Sequence, residues 1–275
     1  GVSGVKMSST EHPSRQRIRP AAVAGRFYPD NADELRAEIA SDLTASESAD
    51  RCPKAIIVPH AGYRYSGPVA GTGYVKLLPF RQTIKRVVLL GPAHRVGFDG
   101  LAVSNADAFA TPLGLIPVDR LGIERILQLP QVIEFDEAHA QEHSLEVHLP
   151  FLQVTLDDFA LVPIVVGRVE PNDVKEVIET LWGGDETLFV ISSDLSHFHD
   201  RDAAKRIDQT TAELICSHNV EALTPQRACG YLAIGGMLLA ARERKLPVTV
   251  LDLRNSGDTA GGHDKVVGYG SFAVG

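Results

Sequence analysis

The sequence predicts an α/β fold: a single-domain α/β/α sandwich with a mixed, mostly parallel central sheet. Four short apolar runs have the length of buried strands, at 55–58, 87–90, 161–166 and 188–191. Helix-length segments alternate with them, and that alternation is what a sheet covered on both faces requires. No Pro/Gly/Ser-rich linker divides the 275 residues, so one domain is expected to hold the whole core.

The elements follow in order. Residues 1–20 are polar, with scattered basic residues and no apolar signal region, and are expected to be a disordered leader; residues 21–275 form the domain. Ala22 to Pro29 reads as a short strand and turn. Asp30 or Asn31 caps a helix through Leu43, and Ser46 to Pro53 is a polar link. Strand 55–58 runs into the turn His60-Ala61-Gly62-Tyr63-Arg64-Tyr65-Ser66-Gly67. A helix is expected after it, with Pro68 in its first turn and small residues close to the sheet.

Strand 87–90 precedes a Gly/Pro/Asp-punctuated stretch, 97–118, whose apolar pieces suggest a hairpin or edge strands. Asp119 caps a helix to about Leu127. A polar loop, 137–142, leads to a helix through about Leu156, then strand 161–166 and a helix from Pro171 to about Trp182. After strand 188–191 come helices 202–218 and 228–244, and strands 248–253 and 266–273 close the chain.

Composition excludes several classes of function. A net charge of −8 and a pI near 5.7 argue against a nucleic-acid binder, which needs a basic face. No apolar run reaches the roughly 18–20 residues of a membrane span. Cys52, Cys216 and Cys229 are an odd set without zinc-ribbon spacing, and a reducing cytoplasm is their expected location.

Three apolar runs stop abruptly and deliver a histidine: His60 after 55–58, His94 after 87–90, and His197 after 188–191. Groups just past the carboxyl ends of buried strands line the ligand crevice of an open α/β sheet. Imidazole there serves as metal ligand or proton carrier. A hydrogen-bonded structural histidine is the plain alternative at each position, but the Pro- and Gly-rich turns at His60 and His94 favour a metal role for that pair.

The segment His139-Ala-Gln-Glu142-His143-Ser-Leu-Glu146-Val-His148 does not match the helical zinc-protease motif, which needs two histidines four apart with Glu directly after the first. Its His143, Glu146 and His148 either begin a helix or orient ligands from a second layer. Asp194 stands three residues before His197, a spacing that fits a carboxylate-oriented general base or a capping Asp beside an exposed His. Cys229 opens the helical run 228–244, where free amides lower a thiol pKa. It reads as a metal ligand, a nucleophile or a buried thiol.

Taken together, Pro59-His60-Ala61-Gly62-Tyr63…Ser66-Gly67, Gly91-Pro92-Ala93-His94, Glu142-His143-Ser144-Leu145-Glu146-Val147-His148-Leu149-Pro150, Ser192-Ser193-Asp194-Leu195-Ser196-His197 and Cys229-Gly230 resemble the Memo family. Its prokaryotic branch is known as AmmeMemoRadiSam system protein B. The resemblance runs from about Ala22 to Val274. It implies a fold similar to the class III extradiol ring-cleaving dioxygenases, which hold non-haem Fe(II) with two histidines and a carboxylate.

By position, the resemblance makes His60 and His94 the histidine ligands, with Cys229 where the dioxygenases carry a glutamate. His197 becomes the acid/base with Asp194 beside it, and Tyr65 belongs to the pocket wall. Phe27 replaces a Trp of other members. Thiolate is softer than carboxylate, so copper and zinc are alternatives to Fe(II). The implied activity is that of a redox or oxygen-dependent enzyme acting on a small-molecule or peptide ligand. A zinc-type hydrolase and a non-catalytic adaptor are the alternatives. The family name further implies association with a radical SAM protein and an AMMECR-type domain protein.

Overall fold

The computed structural model describes residues 15–43 and 51–275. Its centre is made by the four predicted apolar runs. Strands Ala55–Val58, Thr187–Ser192, Arg86–Pro92 and Ala160–Val166 lie side by side in that order, all parallel. Being covered on both faces, they carry continuous apolar runs rather than alternating ones.

Antiparallel pairing is added at both flanks. Val266–Val274 runs against Ala55–Val58 through residues 272–274 and against Val248–Asn255 on its other side, and its first residues, Val266 and Val267, pair with His197–His199. At the other flank Leu101–Val103 runs against Ala160–Val166 and is followed by Val132–Glu134. The sheet is therefore mixed, with its parallel character concentrated at the centre. A separate small sheet joins Ile18–Arg19 to the hairpin Ala108–Thr111/Gly114–Pro117.

Helices cover the sheet in two groups. Ala32–Leu43, Tyr63–Tyr74 and His148–Thr155 pack together, and Tyr63–Tyr74 lies on strands Ala55–Val58 and Val266–Val274. Pro171–Thr180 and Tyr231–Glu243 pack on each other, the latter against Thr187–Ser192 and Arg86–Pro92. Helix Arg201–Cys216 covers the antiparallel flank, and Asp200 caps it by accepting from the Ala203 amide at 2.9 Å. Among the described residues no helix is long and apolar enough to cross a membrane.

Several boundaries depart from expectation. Residues 1–14 of the expected leader, and 44–50 of the region containing the polar link, lie outside the described residues. Ile18 and Arg19, also assigned to the leader, are part of the fold: the Arg19 side chain is buried against Glu146 and the carbonyls of His139 and Glu142. The helix expected after Gly67 begins earlier, at Tyr63, with Pro68 inside it. Ser66 steadies that early start by donating from its hydroxyl to the Ala61 carbonyl at 3.2 Å. The loop expected at 137–142 contains a helical turn, Glu137–Ala140, and the following helix is split at Val147 into His143–Glu146 and His148–Thr155.

Candidate metal centre

The parallel centre of the sheet delivers one polar side chain two residues beyond each of three adjacent strands. His60 follows Val58, Asp194 follows Ser192, and His94 follows Pro92. Because Thr187–Ser192 lies between the other two strands, its offering falls between the histidines. That offering is Asp194. His197 continues into the edge strand His197–His199 and is half-buried there.

Asp194 is 5% exposed. Its Oδ1 accepts from the His60 amide at 2.9 Å, and Oδ2 lies 3.6 Å from His60 Nε2. No hydrogen bond joins it to His197 among the described residues, so the expected Asp-oriented histidine is not formed. His197 instead pairs with Val267 at the start of strand Val266–Val274. Burial pushes the Asp194 carboxyl up from its ordinary value, against the His60 amide and the surrounding imidazoles.

Cys229 arrives from the distant loop before helix Tyr231–Glu243. It stands two residues before the first helical residue and does not open the helix. Gly230 makes the approach feasible: a Cβ there would lie 2.5 Å from the Ser192 carbonyl oxygen and 2.6 Å from Ser193 Cβ. The Cys229 Sγ accepts from the Asp194 amide at 3.3 Å and lies 3.5 Å from His60 Nε2. Burial, and then the Asp194 charge, push its thiol up to about 12, outweighing the Asp194 amide. The lowered pKa expected from a helix terminus is therefore not realised without a cation.

Ligand atoms of His60, His94 and Cys229 all lie within 4.8 Å of one another. Both imidazoles are held from behind. His60 Nδ1 lies 2.8 Å from the Ser192 hydroxyl. His94 Nδ1 lies 2.9 Å from Glu142 Oε2, and the His94 amide donates to Oε1 of the same carboxylate. The Ser144 amide donates to Glu142 as well, at 3.0 Å. Burial pushes the Glu142 carboxyl up, but these donors prevail and hold it at about 2. His94 is lowered by burial and raised more strongly by Glu142, ending above its ordinary value. His60 is fully buried and well below its ordinary value, from burial first and the neighbouring imidazoles next.

Glu142, His94 and His143 form a second close group. With three donors already on it, the Glu142 carboxylate is committed as an orienting group, which leaves His60, His94 and Cys229 as the freer donor set. Two nitrogen donors and one sulfur, set closely and backed by hydrogen bonds, fit a transition metal ion.

The remaining predicted residues divide clearly. His143 stacks on His94 at 4.6 Å and on Phe27 at 4.4 Å, with His60 edge-on to both imidazoles at 5.0 and 5.5 Å. Its pKa is lowered by burial and then by His94. His148 is buried behind Ser192, its Nε2 2.8 Å from that hydroxyl. Tyr65 is half-buried on helix Tyr63–Tyr74, where the Arg64 guanidinium lies 5.2 Å from its ring centre.

Glu146 turns away from the imidazoles. It accepts from Arg19, the Ala22 and Val23 amides and the Tyr28 hydroxyl, and so pins the segment that carries Phe27. Its influence on the site is thus exerted at one remove, through the Phe27 ring. Sequence reasoning missed Ser192, Glu142, Tyr74 and Tyr269. Buried Tyr269 is pushed up by burial and then by the Asp194 charge. The side chain of His94 is 30% exposed, so the cluster opens on that side.

The fold and donor set define an α/β protein with a candidate His/His/Cys metal centre past the ends of its parallel strands. Residues 19–273 match the Memo-like protein family, and the chain belongs to that family. It is 36% identical to a MEMO1 family protein of Aquifex aeolicus, over 92% of this chain and 97% of the relative. To a MEMO1 family protein of Methanosarcina barkeri it is 37% identical, over 94% and 100%. An uncharacterized protein of Escherichia coli K12, known from its crystal structure, is 14% identical. It covers 80% of this chain and 99% of its own at a TM-score of 0.48, too loose a likeness to carry an argument.

Proposed function

We propose that this chain is a metal-dependent redox or oxygen-dependent enzyme in which His60, His94 and Cys229 hold one Fe(II), with copper as the alternative. The observation that carries the proposal is the convergence of these three ligand atoms within 4.8 Å, with both imidazoles anchored through Nδ1. When bound, such an ion supplies electrons and open coordination positions to dioxygen and a substrate. The chain's own residues do the rest. His60 and His94 present Nε2, and Cys229 supplies negative charge once its proton leaves. Asp194 keeps a buried carboxyl beside both His60 and Cys229, and His197 exchanges protons at the half-buried margin.

The substrate is proposed as a small molecule or peptide entering on the His94 side, where the cluster is open. A radical SAM protein and an AMMECR-type domain protein are the proposed associates, and the cytoplasm is the proposed location. The test is metal analysis of protein purified without oxygen, alongside His60→Ala and Cys229→Ser. Stoichiometric iron lost in both variants supports the reading. Binding of neither iron nor copper, or unchanged binding in His60→Ala, overturns it.

The soft Cys229 donor favours one second reading, a zinc-type hydrolase with the same ligands. Stoichiometric zinc with ester or amide hydrolysis independent of oxygen would select it. A non-catalytic adaptor is the outcome if no substrate class turns over and His197→Ala retains ligand binding.

A further inference from the structure

We propose that Ser192, backed by His148 and Tyr74, is a positioning residue that locks His60 as its Nδ1–H tautomer and aims a bare Nε2 into the metal centre. The argument is a proton count. Ser192 Oγ has three close partners: the Ser144 carbonyl oxygen at 2.7 Å, His60 Nδ1 at 2.8 Å and His148 Nε2 at 2.8 Å. A serine hydroxyl has one proton to give and two lone pairs to receive with. A carbonyl oxygen only accepts, so the serine proton goes to Ser144. Both imidazole nitrogens must then donate.

His60 therefore carries its proton on Nδ1, and Nε2 keeps its lone pair. That nitrogen faces Cys229 Sγ at 3.5 Å and Asp194 Oδ2 at 3.6 Å. His148 carries its proton on Nε2. Fully buried, it is held neutral, so its Nδ1 accepts. The partner is the hydroxyl of fully buried Tyr74, 2.7 Å away, which donates. A single arrangement satisfies every member of the chain Tyr74, His148, Ser192 and His60, and satisfied buried networks are rigid.

The arrangement makes the two imidazoles unequal. His94 donates to a carboxylate, a charge-assisted bond that raises the basicity of its Nε2. His60 donates to a neutral hydroxyl that cannot accept the proton outright. It is thus fixed as a neutral, correctly turned donor, with His94 the stronger one.

The tautomer itself is a property of the metal-free protein, whereas its effect on metal binding rests on the reading above. Two-bond ¹H–¹⁵N correlation of metal-free protein labelled at histidine reads the tautomer directly. In the wild type His60 is expected to show a protonated Nδ1 and a bare Nε2. The reverse pattern overturns the proposal, whatever any variant does. In Ser192→Ala the two tautomers of His60 are expected to mix, and metal affinity by chelator competition to fall about 10–100-fold. His148→Gln keeps an N–H where His148 Nε2 stands and leaves the Ser192 proton on the Ser144 carbonyl, so it is expected to retain both the tautomer and the affinity.

A folded Ser192→Ala with His60 still wholly Nδ1–H, or with affinity within about twofold of wild type, refutes the lock. Should Ser192→Ala fail to fold, the wild-type and His148→Gln spectra decide: Nδ1–H on His60 in both supports the lock, and Nε2–H in either overturns it. If no metal binds even the wild type, the metal reading fails while the tautomer measurement stands on its own.

Discussion

Glu146→Gln offers the sharpest test of how the site is supported. The carboxylate is 1% exposed and accepts from four donors: Arg19, the Ala22 and Val23 amides, and the Tyr28 hydroxyl. Glutamine fills the same space but keeps one acceptor oxygen. With that oxygen serving Arg19 and Ala22, the new NH₂ faces Val23 and Tyr28. The tyrosine can turn to accept, while the Val23 amide is orphaned at a cost of about 1–3 kcal/mol. Arg19, 7% exposed, loses its countercharge, and breaking a buried pair from one side costs about 3–5 kcal/mol. The two costs overlap, because Arg19 keeps its bonds to the His139 and Glu142 carbonyls. About 3–5 kcal/mol in total is expected. At about 2.1 cal/mol/K per residue over 275 residues, that lowers Tm by about 5–9 °C. Differential scanning calorimetry reads the shift, and a fall of less than about 2 °C refutes the reasoning. Replacing both partners, Arg19→Met with Glu146→Leu, is expected to recover part of the loss, since no uncompensated charge remains.

Two further outcomes follow from the site's geometry. Gly230→Ala drives a Cβ to 2.5 Å from the Ser192 carbonyl oxygen, so the Cys229 loop must retreat at about 1–3 kcal/mol. Metal affinity by chelator competition should drop while the fold survives, and unchanged affinity would show that Cys229 is not a ligand. Metal binding should also tighten with pH. The Cys229 thiol, pushed up to about 12, must lose a proton to become a ligand, whereas neutral His60 loses none. The expected slope is about tenfold per pH unit above the raised pKa of His94, and steeper below it, where His94 must shed a proton too. A pH-independent affinity across the neutral range would remove Cys229 from the donor set.

Much of the fold was legible because the buried strands announce themselves. The run 55–58 matches its strand residue for residue, and 161–166 and 188–191 miss by a residue at one or both ends. Burial on both faces leaves no competing pattern for those segments. Legibility failed where tertiary contacts overrode local signals. Pro68 suggested a helix start, yet packing carried the helix back to Tyr63. Arg19 looked like part of a basic leader, but its partner Glu146 is 127 residues away and invisible to local pattern. Glu146 itself was assigned to the site on the strength of its neighbours His143 and His148. Helical geometry sends it to the opposite side, toward Tyr28.

Strand order separates the three histidines of the sequence pattern. Each histidine follows an apolar run, but only equal distances beyond adjacent strands bring side chains to one level. His60 and His94 each stand two residues past their strands, and at that offset the middle strand presents Asp194. His197 lies three residues further, enough chain to turn and pair with Val267 at the sheet's edge. Counting residues from strand ends separates these roles before any side chain is placed. Cys229 lies outside this count. Three parallel strands supply two imidazoles and a buried carboxyl, whose Oδ1 accepts from the His60 amide while Oδ2 lies 3.6 Å from His60 Nε2. The thiol comes from another element, and the close turn at Gly230 lets it in between Asp194 and His60.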